Sequence, residues 1–232
     1  MSSAEVMVRL PEGAVHVWTA RLDVGAARRR ALGRHLSPGE VDRALRLRSD
    51  RDRIRFVVAR GILRELVGCY LSVEPRCVRF RYGAHGKPAL GESALAINLS
   101  RTEDRALFAF ARGREIGVDI ERVRRDFPCE RVAAAFFSPA EVPALRAFPP
   151  EERSEAFFRC WTRKEAYLKA RGDGLTVDLA SFDVSLDECP VLLRVPDEPD
   201  RFALYDLDAP PGHAVALAAD GRRARVSQHV WT

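Results

Sequence analysis

The chain has 232 residues, 47% apolar and 31% charged, which suits one large globular domain or two small ones with a substantial core. No apolar run approaches the roughly 18 residues of a membrane span, the first fifteen residues lack a basic segment followed by an apolar core, and the five cysteines (Cys69, Cys77, Cys129, Cys160, Cys189) form no C-x-x-C pair; a membrane, secreted or zinc-bound protein is not expected, and reduced cytoplasmic thiols are. The net charge of +5 fits an anionic partner or simply a coding preference for arginine, since thirty-five arginines stand against three lysines.

Residues 14–24 alternate and predict an opening strand. Ser37, Pro38 and Glu40 form a helix start with a capping box, and Ser49 with Asp52 offers a second. Ile54, Val58, Ile62 and Leu66 recur every four residues, so a buried helix is expected to about Gly68. Residues 76–82 read as a strand, 83–88 as a glycine-rich loop, and 94–98 as a short strand. Strands are expected over 105–113 and 115–123, with a joint near Gly113. Ser138, Pro139 and Glu141 start another helix. A long helix is expected from Glu151 to about Arg171, stopped by Gly172-Asp173-Gly174. The segments LTVDLASFDVSL, FALYDLD and HAVALAAD that follow alternate like antiparallel strands joined by proline-rich turns. The element order repeats, so the expected fold class is α+β, a pseudo-twofold pair of similar α/β halves over residues 1–112 and 113–232 with a ligand cleft between them.

Three segments carry candidate chemistry. In the strand GVDIE, Asp119 and Glu121 share one face, roughly 6–7 Å apart, an arrangement that can hold a hard divalent cation if another oxygen joins; a half-buried strand with a wet polar face is the plainer alternative. On the long helix, Phe157, Trp161, Glu165 and Lys169 form one ridge, which could equally end in an ordinary surface ion pair. All three lysines fall in such segments: Lys87 in GAHGKP, Lys164 and Lys169 on the helix. Lysine is a compact charge that can give up its proton, whereas arginine is a planar fork that stays charged, so these positions point to phosphate contact or proton transfer.

Together, GKP at 86–88, NLS at 98–100, GVDIE at 117–121, FFSPAE at 136–141 and WTRKEAYLK at 161–169 resemble the Sfp-type 4'-phosphopantetheinyl transferases in order and spacing. The resemblance implies transfer of the 4'-phosphopantetheine arm of coenzyme A to a serine of an acyl or peptidyl carrier protein, with release of adenosine 3',5'-bisphosphate. It implies Mg2+ held by Asp119, Glu121 and Glu165. It implies Arg43, Lys87, Ser100 and Arg101 at the 3'-phosphate and adenine end, in a pocket shaped by Gly86, Pro88 and Asn98, with Lys164 and Lys169 toward the diphosphate. Glu165, or Glu141 through a water, would take the serine's proton, and Lys169 would offset charge on the leaving phosphate. Arg101 departs from the family pattern, which has histidine there. Arg124, Arg125 and Arg131 are candidates for a carrier-facing rim. The implied protein is a cytoplasmic monomer that binds neither nucleic acid nor membrane. The rival readings are an inactive relative serving as a carrier-protein scaffold and a basic nucleic-acid-binding module.

Overall fold

The computed structural model describes residues 8–83, 87–91, 93–172, 177–195, 200–221 and 224–232. Its elements are β1 (Ala14–Arg21), α1 (Ala26–Gly33), α2 (Pro38–Leu45), α3 (Asp50–Leu71), β2 (Arg81–Tyr82), β3 (Pro88–Ala89), β4 (Leu95–Thr102), β5 (Arg105–Arg112), β6 (Ile116–Arg122), α4 (Cys129–Phe136), α5 (Glu141–Ala147), α6 (Arg153–Arg171), β7 (Asp183–Val184), β8 (Leu192–Arg194), β9 (Phe202–Tyr205), β10 (His213–Asp220) and β11 (Arg225–Trp231). The fold is mixed α+β, and among the described residues no helix is long and apolar enough to cross a membrane.

Two sheets organise it, one in the order β11-β1-β5-β4 and one in the order β6-β10-β9. Alternation along the strands sends residues to two different cores. Val15, Val17 and Leu107 of the first sheet meet Val118, Ile120 and Leu217 of the second. On its other face the first sheet buries Phe108 and Phe110 against Ile62, Leu63 and Val67 of α3. On its other face the second sheet buries Ala216 and Ala218 with Phe157, Tyr167 and Leu168 of α6. The order is therefore helix, sheet, sheet, helix. Full burial of each large apolar side chain contributes about 1.5–3 kcal/mol.

The helix starts follow the sequence reading. Ser37 and Glu40 close a reciprocal capping box on α2, and Ser49 Oγ accepts the Asp52 N–H to open α3. Ser138 Oγ accepts the Glu141 N–H, and the Glu141 carboxylate accepts the Ser138 N–H. Gly172, with φ of 83°, ends α6 in the left-handed conformation that glycine adopts readily. The rest of the expected stop, Asp173 and Gly174, lies outside the described residues.

Other expectations change. Residues 76–82 are not one strand: Pro75–Cys77 form a turn of 3-10 helix, and only Arg81–Tyr82 pair, with Pro88–Ala89. The carbonyls of Pro75 and Val78 are taken by the Arg64 guanidinium, which removes them from any ladder. Helix α3 continues past Gly68 to Leu71, and β4 runs past Asn98 to Thr102. Helix α4 and strand β11 were not anticipated. The terminal strands are only partly antiparallel: β9–β10 and β10–β6 are, but β11 lies parallel to β1, with Ala14 opposite Arg225.

Candidate active site

The site forms where β4, β6 and α6 converge. The backbone of β6 runs against α6 at Gly117; a Cβ there would overlap Ala166 O and Ala170 N and sit 2.8 Å from the Lys169 carbonyl carbon. Only glycine permits that approach, and it brings the face bearing Asp119 and Glu121 under the helix. Strand β4 supplies the other wall. Asn98 Oδ1 accepts the Val118 N–H at 2.9 Å, Ser100 Oγ donates to Asp119 Oδ1 at 2.6 Å, and Thr102 Oγ1 donates to Glu121 Oε2 at 3.2 Å. Three alternate residues of one strand thus engage β6 in register.

Lys169 reaches in from α6. Its Nζ donates to Asp119 Oδ1 at 2.5 Å, to Ser100 Oγ at 3.0 Å and to Val118 O at 3.3 Å. Among the described residues its ion pair is therefore with the strand, not with Glu165 one turn back. Asp119 is 3% exposed, and among the described residues its buried Oδ2 has no hydrogen-bond partner. Burial raises the Glu121 carboxyl above its ordinary range, and the Asp119 charge adds to that. Burial also raises Glu165; Lys169 opposes the shift and Asp119 reinforces it. Glu121 and Glu165 thus both feel the Asp119 charge, beside one ammonium. Among the described residues, no three Asp, Glu, His or Cys side chains are drawn into a ready-made ligand shell.

The basic residues expected at the nucleotide end fall into two groups. Arg43, in the last turn of α2, is exposed and lies over the Phe56 ring at 5.6 Å. Arg101, near the end of β4, is held below the ordinary arginine range by desolvation and by the charges of Arg43, Arg60 and Arg55, against a raising contribution from Asp52. Arg43 and Arg101 thus act on each other, and both on Arg60, a residue the sequence reading did not single out. Its signal was position: Arg60 lies between Val58, Ala59 and Gly61, Ile62 in the most apolar stretch of α3. Lys87 points elsewhere, donating to Glu115 Oε2 at 2.7 Å and Ala170 O at 3.3 Å. Pro88 pairs opposite Tyr82. Gly86 lies outside the described residues. Ser100, expected at the phosphate end, is engaged with Asp119 and Lys169.

Glu141 and Lys164 are not brought to this cluster, and their expected roles at the reacting centre are corrected. Lys164 is fully buried, with Nζ 2.8 Å from Glu141 Oε2, and it donates to Leu179 O at 2.8 Å and Phe182 O at 2.6 Å. Glu141 Oε1 accepts the Val184 N–H at 2.9 Å. Every donor and acceptor of the pair is occupied inside the second core, so neither group is available to a diphosphate or a serine hydroxyl. Of the suggested rim arginines, Arg124 stacks over Phe127 at 4.5 Å. Arg125 lines a separate cavity of about 580 Å3 with Glu155, Arg159 and Asp206, whose mixed charge selects no ligand class.

Comparison with known proteins agrees with this architecture. The 4'-phosphopantetheinyl transferase superfamily model matches residues 115–218, which include β6, α6 and most of β10. The 4'-phosphopantetheinyl transferase HetI of Nostoc sp. is 42% identical over 191 residues, 81% of this chain and 77% of the relative. Sfp of Bacillus subtilis is 28% identical over 79% of this chain and 82% of its own, and AcpT of Salmonella typhimurium is 39% identical over 53% of this chain and 62% of its own. The chain belongs to the 4'-phosphopantetheinyl transferase superfamily.

Proposed function

We propose that this protein transfers the 4'-phosphopantetheine arm of coenzyme A to a serine of an acyl or peptidyl carrier protein. The serine Oγ bonds to the phosphorus that carries the pantetheine arm, the bridging P–O bond breaks, and adenosine 3',5'-bisphosphate leaves with the bridging oxygen. The observation that carries the reading is the Asp119 centre: a buried carboxylate with one oxygen held by Lys169 and Ser100 and the other without a partner, flanked by Glu121 and Glu165.

That donor set fits Mg2+. The ion takes hard oxygen ligands and is commonly held by one or two carboxylates, with waters and substrate phosphates completing its shell. Asp119 Oδ2, Glu121 and Glu165 would hold it, and bound Mg2+ would neutralise the diphosphate. The protein's own contribution is positioning and charge. Lys169, already beside Asp119, offsets charge on the leaving phosphate. Glu165, half-buried on α6 and with its pKa raised by that burial, takes the serine proton; Glu141 is too deeply paired to do so.

The nucleotide end falls to residues 1–112, where Arg43 and Arg101 grip the 3'-phosphate, and the metal and reacting groups fall to residues 113–232. Arginine at 101 stays charged at every working pH, so the grip varies less with pH than a histidine's would. A rim including Arg124, Arg125 and Arg131 steers an acidic carrier protein toward the cleft. The protein acts as a cytoplasmic monomer.

The test is mass spectrometry of an apo carrier protein incubated with coenzyme A, Mg2+ and the enzyme. Wild type adds the phosphopantetheine mass, and Asp119→Asn and Glu165→Gln slow this by about a hundredfold or more. Unaltered carrier with wild type, across fatty-acid, polyketide and nonribosomal-peptide carriers, would refute the reading.

A further inference from the structure

Arg60 is 6% exposed, yet among the described residues it makes no hydrogen bond. Its nearest carboxylate oxygen, Glu40 Oε1, is 3.9 Å from Nε, beyond hydrogen-bonding distance. Among the described residues, both Arg60 Nη1 and Glu40 Oε1 are buried and without a hydrogen-bond partner, although the two side chains attract each other as charges. The other Glu40 oxygen is committed, accepting from Arg64 Nε at 2.7 Å and from the Ser37 N–H at 2.9 Å. What surrounds the Arg60 guanidinium is aromatic: Phe56, Phe80 and Tyr82 have ring centroids 5.8, 5.7 and 5.5 Å from its central carbon.

A buried guanidinium is normally fully hydrogen-bonded, and leaving its donors empty incurs a full desolvation penalty. This one is also crowded by like charge. Arg43 and Arg64 repel Arg60 against the attraction of Glu40, and Arg43, Arg60 and Arg55 repel Arg101 against the attraction of Asp52. The aromatic rings compensate part of the charge through cation–π attraction, but they accept no N–H donors. The arrangement therefore lacks a compact anion with several acceptor oxygens.

We propose that Arg60 is a specificity-determining residue for the nucleotide: it is the inner receptor for a phosphate monoester, behind the exposed Arg43 and Arg101. Its planar fork suits phosphate oxygens, and the low-polarity box strengthens each bond made there. Arg43 and Arg101 supply attraction at the rim, where water weakens it. Arg60 supplies the discrimination, because a donor lacking the monoester leaves its N–H groups unpaired. The identity of the ester as the 3'-phosphate of coenzyme A rests on the transfer reading above; the anion site itself rests on the unpaired guanidinium.

The test compares adenosine 3',5'-bisphosphate with adenosine 5'-monophosphate by isothermal titration, alongside thermal melting without ligand. Wild type should prefer the bisphosphate by about tenfold or more. Arg60→Met should reduce that preference to threefold or less while melting no lower than wild type, because a buried, unsatisfied charge has been removed. Arg60→Lys keeps the charge but loses the fork, and it should also lose most of the preference; it serves where the methionine variant does not fold. A preference retained in either variant overturns the proposal, as does an Arg60→Met protein that melts well below wild type with its preference intact. Carrier modification is scored separately with wild type. Failed transfer with an Arg60-dependent bisphosphate preference would refute only the transfer reading, and normal transfer with an Arg60-independent preference would refute only this one.

Discussion

Lysine 164 shows why residue type alone misleads. Its ammonium has three N–H donors and meets three acceptors, Glu141 Oε2, Leu179 O and Phe182 O, in a pocket closed by the Phe182 ring at 4.3 Å. A guanidinium is wider and planar and does not fit three convergent acceptors, which accounts for lysine here in a chain that otherwise uses arginine. Lys169, five residues on, sits on another side of the helix and joins the carboxylates. The two should separate by experiment. Lys164→Met strands the Glu141 charge and is expected to destabilise the fold by about 3–5 kcal/mol, read as a lower urea midpoint at unchanged slope, while protein that remains folded still modifies its carrier. Lys169→Met is expected to reduce turnover by about a hundredfold or more. Equal losses of activity in both variants would return Lys164 to the reacting centre.

At the level of elements, the contact of β6 with α6 decides whether a site exists. Gly117 lets the strand touch the helix backbone, and Asn98, Ser100 and Thr102 fix β4 against β6 so that each hydroxyl meets a carboxylate. A methyl group at position 117 has only backbone atoms to displace, and a packed helix cannot yield by a side-chain rotation. Gly117→Ala is therefore expected to lower stability by about 1–3 kcal/mol and to remove more activity than that loss explains, because Lys169 and Glu165 move away from Asp119. Thermal melting beside single-turnover transfer would measure both. A variant with normal turnover would mean that the close approach is incidental to the chemistry.

For the whole molecule, the joining of distant chain segments matters most. Strand β11 returns from the far end of the sequence to lie parallel to β1, and His229 stacks on Trp18 at 4.6 Å with its ring 5.0 Å from that of His16. His16 shares a hydrogen bond with the Tyr70 hydroxyl of α3 at 2.9 Å, and Trp18 Nε1 donates to the same oxygen. Burial holds the His16 imidazole below its ordinary value of 6.5, and His229 adds repulsion. Burial pushes the Tyr70 hydroxyl, the hydrogen-bond partner of His16, up to about 12, so it stays neutral over this range. A histidine with a depressed folded-state pKa binds its proton more readily in the unfolded chain. Stability is then fully present above 6.5 and is lost as pH falls through the folded-state value. Urea unfolding from pH 7.5 downward should show that decline beginning near 6.5, and His16→Asn should make it shallower. An identical slope in the variant would remove His16 from the account.

The local grammar was legible in the sequence: the boxes at Ser37–Glu40 and Ser138–Glu141, the strand placing Asp119 beside Glu121, the ridge holding Glu165 and Lys169, and the family they compose. These features depend on neighbours within one or two turns, where period and hydrogen-bonding chemistry fix the outcome. The tertiary structure alone decided that Lys164 and Glu141 bury each other, that Ser100 serves the carboxylates, that Arg60 lies among aromatic rings beside Glu40 but out of hydrogen-bonding reach of it, and that β11 completes the sheet of β1. Each of these turns on partners between about fifteen and two hundred positions away along the chain. Which partner a buried charge or an open strand edge finds is set by how the layers close over it, and no local spacing encodes that.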